Sequence, residues 1–211
     1  HLYSVNTGAA IVDPAGAGAG FCSLDSPLIS LGVPGCWKYA PSGGFRPSTP
    51  TAWVNLFNNQ WTTNFRLWNQ GTWTWRVRVW SVGQYSADSA IITPSLEARY
   101  PLLAATSAKP GGTLATHTSG LRVSAPGVSV LAFGENPDGA GLVLRLWELA
   151  GRSGPCRVQL PVGMQVASVQ PSDLRHRPMG PALPVKRGAF EFAAKAFAPA
   201  TFLIADPTAG K

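Results

Sequence analysis

"GLVLRLWELAG" (residues 141–151) carries the clearest strand signal in the chain. Leu142, Leu144, Leu146 and Glu148 alternate with Val143, Arg145, Trp147 and Leu149, so both faces of the extended chain are mostly apolar. Such a strand is expected inside a sheet, with a neighbour on each side. The turn signal "NPDGAG" (136–141) joins it as a hairpin to the apolar run that starts at Leu121. Beyond it, "PCRVQLP" (155–161), "MQVASVQPS" (164–172), "AFEFAAKAF" (189–197) and "ATFLIAD" (200–206) repeat the pattern of short apolar runs divided by turns. Evenly spaced strands without helices predict an antiparallel β-sandwich of about seven strands for this half of the chain.

The first half is more punctuated. "AAIVD" (9–13) and "SPLISLG" (26–32) read as strands separated by "PAGAGAG" (14–20), and "YAPSGGFRPSTPTA" (39–52) reads as a loop. "TWTWRVRVW" (72–80) alternates cleanly: Trp73, Trp75, Val77 and Val79 share one face, and Arg76, Arg78 and Trp80 share the other. "SADSAIITPSLEARYPLLAA" (86–105) is the one helical candidate, with Ser95 as a possible cap and Pro101 as its limit. The predicted fold class is therefore mainly β: antiparallel β-sandwich sheets in two packed parts, with one short helix. Residues 1–105 are expected to form the end of a larger sandwich with that helix, and residues 106–211 a compact C-terminal sandwich.

Composition narrows the function classes. Glycine (23) and proline (19) favour short strands and turns over long helices in these 211 residues. Charged residues are 13 per cent, about half the usual share, which suits a chain that presents surface to another domain or wears a coat of Ser, Thr and Asn. The net charge of +7 does not imply nucleic acid, because the basic residues are scattered and form no run of five. No apolar run approaches the ~20 residues of a membrane-spanning helix. The opening "HLYSVNTGAA" has neither an initiator Met nor a signal-peptide pattern, and it reads as a cut from a longer polypeptide. Cys22, Cys36 and Cys156 have no metal-ligand spacing. Buried thiols, or a Cys22–Cys36 bridge in an oxidising compartment, both fit, and the compartment stays open.

Candidate chemistry centres on residues 53–80, which hold six of the eight tryptophans. The loop "NNQWTTN" places Asn58, Asn59, Gln60 and Asn64 around Trp61, groups suited to stack on a sugar ring and bind its hydroxyls, or to face another domain. The strand tryptophans Trp53, Trp73 and Trp75 are expected in a core. Residues 26–87 contain no Asp, Glu or His. Glycoside hydrolysis needs two carboxylates about the scissile bond, and this segment brings none. Elsewhere Glu148 is expected to form a buried structural ion pair with Arg145, while His117 and His176 are isolated in sequence. No catalytic residue and no metal site is assigned within the chain.

"VNLFNNQWTTNFRLW" (54–68) followed by "TWTWRVRVW" resembles a segment of the C-terminal β-rich region of glycoside hydrolase family 38, the α-mannosidase family, and its bacterial relatives. "GLVLRLWELAG" is similar to a strand of that region with the pattern apolar-Arg-Leu-aromatic-Glu, here Leu144 to Glu148. "VASVQPSDLRHRPM" (166–179) and "FAPATFLIA" (197–205) are similar to its last strands in order and spacing, so the resemblance spans most of residues 26–205. It implies a non-catalytic β-region that supports an N-terminal catalytic domain of the same polypeptide. Zinc and an aspartate nucleophile belong to that domain, and no cofactor is expected in this chain. It also implies that the Asn58–Asn64 loop faces the catalytic domain or a glycan. Two other readings stay open: an autonomous carbohydrate-binding module built on Trp61, and a β-domain that docks a protein through an apolar face.

Overall fold

The computed structural model describes residues 2–35, 46–57, 68–106, 111–112 and 115–205. The chain divides into two compact units, residues 1–103 and 104–211. Every strand pairing in both is antiparallel, so the fold is mainly β, as the turn-punctuated sequence predicts.

Among the described residues the first unit has two small sheets. One orders β1 (Leu2–Ser4), β4 (Leu28–Leu31) and β5 (Ala52–Val54) as β1-β4-β5. The other orders β2 (Ala9–Val12), β3 (Gly18–Ser23) and β6 (Val77–Val82) as β2-β3-β6. A π-helical turn, Asp88–Ile92, runs directly into α1 (Thr93–Arg99). Ser86 starts it: its Oγ accepts the Ser89 N–H at 3.2 Å, one turn in. Ser95, read as a cap, instead lies inside the helix and is fully buried. The helix stops at Arg99 because Tyr100 precedes Pro101, whose ring disfavours helical backbone at the residue before it. Leu102 and Leu103, beyond that stop, are exposed.

This helix decides which face of β6 is covered. Trp80 donates its indole N–H to Ala90 O at 2.9 Å, so the helical segment packs on the face that carries Trp80. Gly20 sits opposite Trp80 in the β3–β6 register. A Cβ there would overlap the indole and press on Ala90 O, so the close approach requires glycine. The other face, expected to be core, is open: Val79 is 69% exposed, Trp73 54% and Val77 41%. Trp53, on β5, is 45% exposed, and Trp75 is half-buried. The strand tryptophans are thus not core within this chain. Alternation had divided the two faces, but the helix packs on the one bearing arginines. Residues 72–76 are also outside β6, which begins only at Val77.

The second unit is a two-sheet sandwich. Its larger sheet has the order β12-β11-β14-β9-β8, built from β8 (Val128–Glu135), β9 (Leu142–Glu148), β11 (Ser168–Ser172), β12 (Leu183–Pro184) and β14 (Pro199–Ile204). The smaller has the order β13-β10-β7, from β7 (Arg122–Val123), β10 (Gly154–Gln159) and β13 (Ala189–Ala194). β9 is flanked by β8 and β14, the interior position its two apolar faces predict. The β8–β9 hairpin closes through residues 136–141, with Asn136 N–H donating to Gly141 O at 2.9 Å. Leu144, Leu146, Phe202, Ile204 and Val169 from the larger sheet meet Val158, Leu160 and Phe190 from the smaller side in one buried cluster. Phe202 is the pivot, edge-on to Phe190 with centroids 4.8 Å apart and to Phe192 at 5.0 Å.

Candidate functional site

The loop nominated from sequence for sugar or domain contact, with Asn58, Asn59, Gln60, Trp61 and Asn64, lies outside the described residues. Cys36 does too; Cys22 and Cys156 are buried thiols. Burial pushes the Cys156 thiol up, which suits an inert core sulfur rather than a nucleophile.

The Arg145–Glu148 ion pair does not form. Residues three apart on a strand point to opposite faces, and each side chain finds other partners. Glu148 turns inward at the end of β9 and is 3% exposed. Its carboxylate accepts backbone N–H groups from Ala150, Gly151 and Phe197, each at 2.9 Å. Burial pushes the carboxyl up, but the backbone N–H groups of Phe197, Arg152, Ala150 and Gly151 outweigh it, and the net shift is below the ordinary glutamate value. Glu148 therefore fastens two loops to each other, the one after β9 and the one before β14. Trp147 adds a bond from its indole N–H to Phe197 O at 3.2 Å. Both Phe197 (φ 57°) and Gly151 (φ 76°) adopt left-handed backbone at this junction, and the Phe197 ring fills the space a Cβ on Gly151 would need.

Arg145 projects from the opposite face, where the register places it beside Thr201 of β14, itself opposite Ser172 of β11. Its Nη2 donates to Leu174 O at 3.2 Å and to His176 Nε2 at 3.0 Å. An arginine can only donate, so His176 Nε2 accepts and Nδ1–H donates to Asp138 at 2.7 Å. His176, isolated in sequence, thus joins the β8–β9 hairpin to the segment after β11, at a left-handed φ of 61°. The partners lie 31 and 38 residues away, and no spacing rule could have found them.

In the first unit, Asp25 accepts Arg76 Nη2 at 2.7 Å, Nε at 3.1 Å and the Arg76 backbone N–H at 2.7 Å. The Arg76 side chain and then its backbone N–H hold the Asp25 carboxyl below its ordinary value. Among the described residues no three of His, Cys, Asp and Glu gather as a metal-binding group.

The motif "LWELAG", whose Trp147 and Glu148 pin the sandwich end, lies within a segment that runs from Gly127 through most of β14. Residues 127–202 match the glycosyl hydrolases family 38 C-terminal beta sandwich domain. No curated protein and no solved structure matches the chain. Glu148, Asp138, His176, Arg145 and Phe202 all fall within the matched residues. A C-terminal domain of this family implies association with a catalytic domain.

Proposed function

We propose that this chain is the non-catalytic C-terminal β-region of a family 38-like glycoside hydrolase of the α-mannosidase type, supporting the catalytic domain and contacting glycan through the Asn58–Asn64 loop. The match at residues 127–202 carries the reading. Two features of the chain favour it. Residues 26–87 supply no carboxylate for glycoside chemistry. The open Trp73, Val77 and Val79 face suits the end of a larger sandwich completed by the rest of the enzyme, with residues 1–105 as that end. On this reading the family's zinc would belong to the catalytic domain, and no cofactor is assigned to this chain.

Glycan contact is tested by titrating the chain with mannose-containing oligosaccharides. The expected outcome is saturable binding at about millimolar ligand, weakened about tenfold by Trp61→Ala, since loss of an aromatic platform costs roughly 1 kcal/mol or more. Absence of binding, or binding indifferent to Trp61→Ala, would remove glycan contact at this loop.

A further inference from the structure

A second group of aromatic and basic side chains lies in the first unit, apart from the Asn58–Asn64 loop in sequence. Where α1 ends beside the start of β6, a groove of about 810 Å³ is lined by Leu24, Trp75, Arg76, Arg78, Arg99 and Tyr100 among others. The volume falls in the range of small-ligand sites. Three arginines line it and no carboxylate does. The nearest acid tied to it is Asp25, already engaged by Arg76.

Two of the three guanidinium groups, those of Arg76 and Arg99, are held rather than loose. Arg76 commits Nε and Nη2 to Asp25, which fixes the plane of its head and leaves Nη1 without a partner among the described residues. Arg99 reaches back from α1 to Ser23 O at 2.7 Å, Thr7 O at 3.4 Å and Leu24 O at 3.5 Å. Its Nε is buried without a hydrogen-bond partner. The side chain of Arg78, two residues from Arg76 and on the same side of the strand, has no ion pair or hydrogen bond among the described residues, and Glu97 on α1 is not part of the lining. Asp25 offsets one of the three charges, so the depression keeps an excess of positive charge that favours an entering anion. The rings of Trp75, half-buried, and Tyr100, 74% exposed, supply apolar faces beside those charges.

We infer that this groove binds an oxyanion carried on a sugar ring, with Arg78 and Arg76 taking the anion and Trp75 and Tyr100 flanking the ring. Guanidinium forks match the oxygen spacing of phosphate and carboxylate, and indole and phenol faces pack against the C–H face of a pyranose. The sugar half of the inference rests on the proposed function; the anion half rests on the arginines alone.

Calorimetric titration of the intact chain with mannose 6-phosphate, glucuronate, mannose and inorganic phosphate tests it. Saturable binding of mannose 6-phosphate, glucuronate or both is expected, at least about tenfold tighter than mannose or inorganic phosphate. Which of the two binds identifies the oxyanion. Arg78→Ala, which removes no contact seen within the fold, should weaken binding about tenfold, and Trp75→Phe should weaken it less. Circular dichroism of each variant should match the parent. The inference is overturned by no saturable heat at tens of millimolar, on the scale of weak affinities. It is also overturned by equal affinity for inorganic phosphate or for neutral mannose, or by binding that Arg78→Ala leaves intact. Anionic-sugar binding lost in Trp61→Ala but kept in Arg78→Ala would place the ligand at the Asn58–Asn64 loop. That result would overturn the groove while leaving the proposed function standing.

Discussion

Glu148→Ala is expected to destabilise the second unit by about 3 kcal/mol, since hydrogen bonds to a charged acceptor contribute roughly 1.5–3 kcal/mol each and their loss here is partly offset by water. Three backbone N–H groups at 2.9 Å lose their acceptor at once, and the loops after β9 and before β14 keep only the Ala196 N–H bond to Ser153 Oγ at 3.0 Å and the packing of Phe197 on Gly151. Glu148→Gln keeps a carbonyl acceptor but not the charge, so about half that loss is expected. The pH dependence has a definite sign. The folded-state pKa of Glu148 is lowered, so its contribution is fully present above the ordinary glutamate value and is lost as pH falls through the lower folded value. Urea unfolding of the parent and Glu148→Gln at neutral and acid pH checks this. The stability gap should be widest near neutrality and shrink below the ordinary glutamate range. A gap that is constant or grows in acid would show that the carboxylate charge is not what binds these loops.

Phe202→Ala should cost about 4 kcal/mol, in the range for truncating a fully buried aromatic and leaving a cavity. Phe202 is 2% exposed and joins the sheets through its edge-on contacts with Phe190 and Phe192. Against a typical domain stability of roughly 5–15 kcal/mol, that removes a large share of the margin. It corresponds to a fall in Tm of about 15–30 °C for a unit of this size. Val162→Ala is the control: Val162 is 93% exposed and its truncation should change stability by less than about 0.5 kcal/mol. Thermal unfolding of both variants beside the parent decides it. A Phe202→Ala protein as stable as the parent would mean that the two sheets are not held by this cluster.

How far the sequence could be read depended on whether the deciding contact was local. The interior place of β9 was legible because period-two alternation with two apolar faces requires neighbours on both sides. The β8–β9 hairpin was legible because residues 136–141 carry their own turn chemistry. The end of α1 at Arg99 follows from Pro101, although Ser95 was misread, since a serine before an apolar run looks the same as a cap or as a buried helix residue. Coverage was not legible. Alternation in residues 72–80 separates Trp73 and Val79 from Arg76 and Trp80 but cannot say which side a later helix will occupy. A glycine at position 20, opposite Trp80, was the local trace of that choice.

The candidate site divides the same way. Glu148 was recognised as unusual because a carboxylate stood in the most apolar strand. Its partner was misassigned because Arg145 is near in sequence, yet three residues along a strand reverse the face. The loop N–H groups that hold it carry no side-chain signature. The Asp138–His176–Arg145 chain and the Trp75–Arg78 groove join segments far apart in sequence. From the residues we also propose a division of labour: an aromatic, carboxylate-free stretch assists chemistry supplied elsewhere.

That division of labour is tested most directly by turnover. The purified chain, incubated with an aryl α-mannoside with and without added zinc, should release no aryl alcohol above the buffer rate, while the stability experiments show it folded. Zinc-dependent, chelator-sensitive release, or release that survives the chelator, would contradict the account, because either would mean that this chain holds catalytic machinery of its own.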